Sequence, residues 1–241
     1  MKRYIIDTAG KIIFGSGLLF LVLFSVCLRP AAAEELDFDG DGYSDEVELA
    51  SGYSPYNPEP VKITVSDMDS DGLSDYWERQ FGTDPFRSDT DGDGFRDLDE
   101  IDRAYDPLSK EEKRLSQLIE IDLKKQLMTY LVGGRPWKEW AVSTGKTSMP
   151  TPRGEFKIVN KSLKPWSRAY GLWMPYWLGL GGDGLRNGSI GIHELPVWPG
   201  GYREGEDHLG QPVSHGCIRL GVGAARYLYE LVEVGTAVVI K

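Results

Sequence analysis

Ser214-His215-Gly216-Cys217-Ile218-Arg219-Leu220 sets a thiol, an imidazole and a glycine side by side. A cysteine attacks through its thiolate, so it needs a base nearby and a partner that holds the base. It also needs backbone N–H groups aimed at the developing oxyanion, and glycine lets the backbone come close. A second imidazole lies upstream, in Ile190-Gly191-Ile192-His193. The chain has three histidines, and two of them stand in these two motifs. A buried structural cysteine beside a structural histidine is the other reading of the same residues.

Short β-type runs surround these motifs. Ile119, Ile121 and Leu123 alternate with polar residues. Leu127 to Val132, the turn Gly133-Gly134 and the return run Trp137 to Ser143 read as a hairpin. Phe156 to Val159 and Thr236 to Ile240 are further β runs, and Val222 to Val232 reads as a helix with Ala, Leu and Tyr on one side.

With four ordered stretches in place, residues 117–241 resemble the catalytic domain of the L,D-transpeptidases (the YkuD family). The stretches are Ile119 to Tyr130; Val142-Ser-Thr-Gly145 with Thr151-Pro-x-Gly154-x-Phe156; Gly191-Ile-His193; and Ser214 to Arg219. The resemblance implies a mainly β catalytic domain with a short C-terminal helix and the cysteine at the edge of a groove. It implies Cys217 as nucleophile and His193 as general base, oriented by a neighbouring backbone carbonyl. His215 and Ser214 would shape the site, the amides of Gly216 and Cys217 would form the oxyanion hole, and Arg219 would hold the substrate or the loop. No cofactor is implied for the chemistry.

Two features depart from the family pattern. Glu194 follows the upstream histidine where a small residue is usual, and the span from Glu194 to Val213 is longer than common. His208 lies in that insert and is expected to face solvent. Seven aromatics fall between Trp166 and Tyr202. Most of them are expected in the β core. Trp198 and Tyr202, in a Gly/Pro-rich loop, and Tyr176 are the candidates for contacting substrate.

The other half of the chain is acidic. Residues 34–109 hold 5 Lys/Arg against 23 Asp/Glu, whereas residues 110–241 hold 18 against 13. Such a break marks two regions with different tasks, and the acidic block would repel nucleic acid. Three segments repeat one spacing: Asp37, Asp39, Asp41, Asp45 and Glu48; Asp67, Asp69, Asp71, Asp75 and Glu78; Asp89, Asp91, Asp93, Asp97 and Glu100. Carboxylates at positions 1, 3, 5, 9 and 12, with Gly at 6, suit one Ca²⁺ per loop. Pro55, Pro85 and Pro107 follow seven residues after each final Glu, which leaves room for about two helical turns. Only Arg79 to Ser88 separates the second and third loops, too few residues for paired EF-hands. The run Phe81-Gly-Thr-Asp-Pro85 followed by Asp89-Thr-Asp-Gly-Asp-Gly94 resembles the thrombospondin type 3 repeats of exported bacterial proteins. This small arm has few large apolar side chains. It is expected to depend on Ca²⁺ for its order and to be separable from residues 117–241, with 110–116 as linker.

Residues 1–33 read as an export signal. Lys2, Arg3 and Lys11 precede an apolar run from Ile12 to Leu28, and Ala31-Ala32-Ala33 offers a cleavage site before Glu34. A retained membrane anchor is the alternative. Cleavage would remove Cys27 and leave Cys217 as a lone thiol, which rules out a disulfide framework in that product. The expectation is therefore an exported periplasmic or cell-envelope L,D-transpeptidase that forms 3→3 cross-links between peptidoglycan stem peptides. A membrane contact is expected only if residues 1–33 are retained, and the arm could dock a cell-envelope protein. The alternatives are an L,D-carboxypeptidase that uses water as acceptor and a non-catalytic, calcium-dependent wall-binding protein.

Overall fold

The computed structural model describes residues 36–182 and 184–241, so the expected export segment lies outside the described residues. From residue 117 onward, alternation builds strands. β1 (Gln117–Asp122), β2 (Leu127–Val132), β3 (Arg135–Ser143) and β4 (Gly154–Ser162) come first. A two-stranded ribbon follows, β5 (Trp166–Ser167) with β6 (Leu172–Trp173). β7 (Trp177–Gly181), β8 (Gly191–Glu194), β9 (Ile218–Leu220) and β10 (Ala237–Ile240) complete the set.

Apart from the ribbon, the strands close a barrel in the order β1-β10-β4-β7-β8-β9-β3-β2. Closure pairs every strand edge. Only β1/β10 and β8/β9 are parallel pairs. The inward faces supply the core, including Ile119, Ile121, Met128, Tyr130, Ile158, Leu180, Ile192, Ile218 and Val238. The hairpin, the strands at Phe156 and Ala237, and the helix are as the sequence indicates, the last as Ala224–Leu231. By contrast β7, β8 and β9 carried no alternation to read, because every residue in them is buried.

In the acidic region each loop runs into two helical turns: α1 (Asp45–Ser51), α2 (Asp75–Phe81) and α3 (Asp97–Asp102). The helix near the chain's end is α4 (Ala224–Leu231). Gly52 and Gly82 end α1 and α2 in the left-handed conformation, where a Cβ would be strained.

The arm packs directly on the barrel, where separate units were expected. Leu73, Phe81, Ile101 and Ala104 belong to the same buried cluster as the barrel core. The Trp137 ring, from β3, meets Trp77 and Phe81 of α2 edge-on at 5.1 and 5.7 Å. Asp102, at the end of α3, accepts bonds from Trp137 Nε1 (3.0 Å) and Tyr227 Oη of α4 (2.9 Å), and pairs with Lys138 Nζ at 3.3 Å. The supposed linker is also tied down: Leu115 N–H donates to Ala104 O, and Arg114 Nη1 to Arg103 O. Truncating a buried aromatic of this kind typically costs about 3–5 kcal/mol. The barrel therefore supplies much of the apolar contact that the acidic segment lacks. Its charge count hid this, since a few aromatics at the right places suffice.

Candidate active site

β8 and β9 run in parallel, with Ile192 opposite Ile218 and His193 opposite Arg219. Side chains alternate along a strand. Both isoleucines therefore fill the core, and His193 and Arg219 share the other face. Cys217 immediately precedes β9. His193, His215, Cys217 and Arg219 all line one cleft of about 540 Å³.

The turn that presents the thiol is braced from within. Buried Ser214 donates through Oγ to Cys217 O (2.6 Å) and accepts Gly216 N–H (3.1 Å). Gly216 has φ +110°, a conformation that a residue with a Cβ rarely adopts. Its carbonyl accepts Thr151 Oγ1–H at 2.9 Å, and Thr151 Oγ1 accepts Gly145 N–H at 2.8 Å. A Cβ on Gly145 would lie 2.2 Å from Met149 O, so only glycine fits there. The two separated signatures, Val142 to Phe156 and Ser214 to Arg219, thus build a single turn. Its geometry commits the Gly216 N–H to Ser214.

His193 is 3% exposed, and its Nδ1 lies 2.6 Å from Glu194 O. A carbonyl can only accept, so Nδ1 carries the proton and Nε2 keeps a lone pair. Burial, helped by the Arg219 charge, pushes the imidazole pKa down to about 4, against the pull of the Glu194 carbonyl. The Trp177 ring stacks on it at 5.9 Å, an aromatic that chain position alone did not assign to the site. Burial also pushes the Cys217 thiol up, partly offset by the Gly191 backbone and by Arg219. The resting pair is therefore neutral thiol and neutral imidazole.

His215 is exposed. It stacks with Tyr170 (4.7 Å between centroids) and lies 3.3 Å from Lys146 Nζ. Burial, Lys146 and Arg219 lower its pKa, so it is neutral near pH 7. Tyr170 sits in the turn of the β5/β6 ribbon, and the ribbon forms one wall of the cleft through Ser167, Tyr170 and Leu172. Here the expectation of core aromatics fails for Trp166, Tyr170 and Trp173, which are 40, 47 and 37% exposed. A two-residue ribbon standing off the barrel has little to bury them against. Trp177, in β7, is buried as expected.

The three substrate candidates divide. Trp198 lines the cleft. Tyr202 is 68% exposed and packs on Trp198 without lining the cleft. Tyr176 lies elsewhere: it packs on Tyr229 and borders a separate depression with Glu194 and Arg203. Its backbone φ is positive (+56°), unusual for a residue with a Cβ. The expectation for His208 is also corrected. It is only half-exposed, and its Nδ1 bonds the buried carboxylate of Glu204, which in turn accepts Arg219 Nη1 at 2.6 Å. The insert thus reaches into the site, through a residue pair no motif announced.

In the acidic loops, one carboxylate oxygen each from Asp37, Asp39 and Asp41 lies within 4.8 Å of the others. The same holds for Asp67, Asp69 and Asp71, and for Asp89, Asp91 and Asp93. Buried oxygens of Asp39, Asp67, Asp69 and Asp91, and of the final Glu48, Glu78 and Glu100, have no hydrogen-bond partner among the described residues. Orphaned hard oxygens converging in this way are the donor set a divalent cation needs. Burial and the neighbouring carboxylates hold Glu78 and Glu100 up at about 8, the electrostatic strain that a cation would relieve. The position-9 residues also take part in backbone bonding. Asp45, Asp75 and Asp97 accept the backbone N–H of Phe38, Met68 and Thr90 (2.8, 3.2 and 2.9 Å), bracing each loop against its helix.

The family of L,D-transpeptidase catalytic domains (YkuD) matches residues 116–240, and the bacterial TSP3 repeat, a generally calcium-binding unit, matches residues 37–52 and 67–88. The putative L,D-transpeptidase YqjB of Bacillus subtilis is 32% identical over 109 residues, 42% of this chain and 57% of that protein. The putative L,D-transpeptidase YkuD of the same organism is 29% identical over 123 residues, 51% of this chain and 65% of that protein. The chain thus spans less than two thirds of either relative. Among solved structures, an L,D-transpeptidase from Mycobacterium smegmatis is similar at 24% identity and TM-score 0.44, covering 54% of this chain and 60% of that one. One from Enterococcus faecium is similar at 28% identity and TM-score 0.39, covering 52% and 50%.

Proposed function

The chain belongs to the L,D-transpeptidase catalytic-domain family, and from that membership we propose an exported cysteine acyltransferase that forms 3→3 cross-links between peptidoglycan stem peptides. The observation that carries the reading is that Cys217 and a buried His193, its Nδ1 committed to Glu194 O, line one cleft.

In the first step His193 Nε2 takes the thiol proton, and Sγ attacks the carbonyl carbon of the third stem residue. The Cys217 N–H receives the developing oxyanion, since the Gly216 N–H is held by Ser214. The C–N bond to the terminal D-Ala breaks, the departing amine takes the proton from His193, and a thioester remains. In the second step the side-chain amine of another stem attacks the thioester carbonyl and gives its proton to His193, and Sγ leaves and takes that proton back from His193. Trp198 and the ribbon would wall the peptide in. The position 1, 3, 5 and 12 carboxylates of each acidic loop would hold Ca²⁺, which neutralises them and fixes the arm.

The test is incubation of the protein with tetrapeptide-stem fragments, followed by mass spectrometry. Cross-linked dimers with loss of D-Ala support the reading. Tripeptides alone would assign a carboxypeptidase, and unchanged fragments would leave only a wall-binding role.

The acid limb of the reaction follows from His193. A base must be neutral to accept a proton, and its depressed pKa keeps it neutral down to about 4. Acylation by a carbapenem should therefore hold its rate from neutrality to roughly pH 5, then fall about tenfold per unit below pH 4. A midpoint near 6.5, the ordinary histidine value, would show that His193 is not the base.

A further inference from the structure

Between His193 and Ser214 the insert places Glu204, 6% exposed, against Arg219, 8% exposed. Arg219 is the residue after Cys217-Ile218 and the cross-strand partner of His193. A guanidinium buried at that point needs a fixed counter-charge, because a buried unpaired charge leaves its site or draws water in. Among the described residues Arg219 has one carboxylate partner, and it comes from the insert and not from the barrel. His208, four residues on, bonds the same Glu204 oxygen from the solvent side and closes the short turn Glu206–His208 over it. Among the described residues, buried Arg219 Nε and Glu204 Oε2 have no partner, one donor and one acceptor, so the pair holds the groups for a second bond.

We propose that Glu204 is a positioning residue of the acyl-transfer site: it fixes the Arg219 guanidinium beside Cys217 and His193, and His208 holds Glu204 in place. The fixed cation favours the thiolate at Cys217 and disfavours a lasting imidazolium at His193, so the proton moves through His193 without resting there. The titratable groups around the guanidinium are Cys217, His193, His215 and Glu204, with His208 behind Glu204. The insert, which lengthens the usual spacing between the two histidine motifs, is in this reading the carrier of a counter-ion and not spare loop.

The inference rests on Cys217 as the nucleophile, but its test needs no peptide substrate. The rate of Cys217 alkylation by iodoacetamide is followed against pH in the full chain, beside a thermal melt. Glu204→Ala and Arg219→Ala should each raise the alkylation midpoint by about one unit. The double variant should match Arg219→Ala alone, because Glu204 acts through Arg219. His208→Ala should shift it less, in the same direction. Additive shifts in the double variant, or an unmoved midpoint in a folded Glu204→Ala protein, would overturn the proposal. Should Glu204→Ala fail to fold, Glu204→Gln keeps the volume and one acceptor. It should show a smaller upward shift, and no shift there overturns the proposal equally. Absence of dimers in the cross-linking assay, with these shifts intact, would instead sink the assigned reaction and leave the positioning role standing.

Discussion

Cys217→Ser is expected to lower acyl transfer by at least about 10⁴-fold while leaving the fold intact, because removing a nucleophile that works as a unit with its base removes nearly the whole chemical step. The exchange is nearly isosteric, and the turn does not depend on sulfur: Ser214, Thr151 and the Gly216 conformation hold it. A serine hydroxyl has a far higher pKa than a thiol, and a base as weak as His193 cannot activate it well. His193→Ala should cost about 10²–10⁴-fold, the worth of a positioned base. His208→Ala should cost much less, since His208 reaches the chemistry only through Glu204. The measurement is single-turnover acylation by a carbapenem, with a melt for each variant. Near-normal acylation of the serine variant, or equal losses at the two histidines, would remove the assignment.

Calcium chelation should destabilise the whole chain and not the arm alone. A site at 100-fold excess of ligand over Kd contributes about 2.7 kcal/mol, and 1 kcal/mol moves the melting temperature of a chain this size by about 2–4 °C. Emptying three loops should therefore lower it by at least about 10 °C. Because Trp137 packs on Trp77 and Phe81, and Asp102 bonds both Trp137 and Tyr227, near-ultraviolet circular dichroism of the tryptophans should report the same single transition as the backbone signal. Two separate transitions, with the barrel melting at a temperature indifferent to chelator, would show the interface to be too weak to couple them.

The Ser214 to Arg219 motif, the upstream histidine motif and the repeat spacing were legible because each is a local pattern. The hairpin from Leu127 to Ser143 was legible because one face of it meets solvent. What escaped was non-local. Strands β7, β8 and β9 are buried on both faces, so they show no period. The Glu204–Arg219 pair spans fifteen residues of an irregular loop, and the Asp102–Tyr227 bond spans 125 residues. Tyr170 and Trp177 read alike as aromatics, yet one stacks on His215 in the open cleft wall and the other beneath His193. Tyr176, close to Trp177 in the chain, packs on Tyr229 away from the cleft, a placement that no local pattern reports.

The loops also hook onto one another. Ser54 Oγ, after the first helix, bonds Asp75 of the second unit, and Asp71 of the second unit receives Leu98 N–H and, through its carbonyl, Arg96 of the third. The second and third units then touch the barrel, while the first contributes nothing to the shared core cluster. In such a quasi-one-dimensional stack each unit leans on the next, so order is not uniform along it. The first unit unzips most readily and the third last. A protease would therefore nick near Phe38 long before it reached Asp102, and the number of outer units could change from one protein to another without altering the seam that anchors the arm.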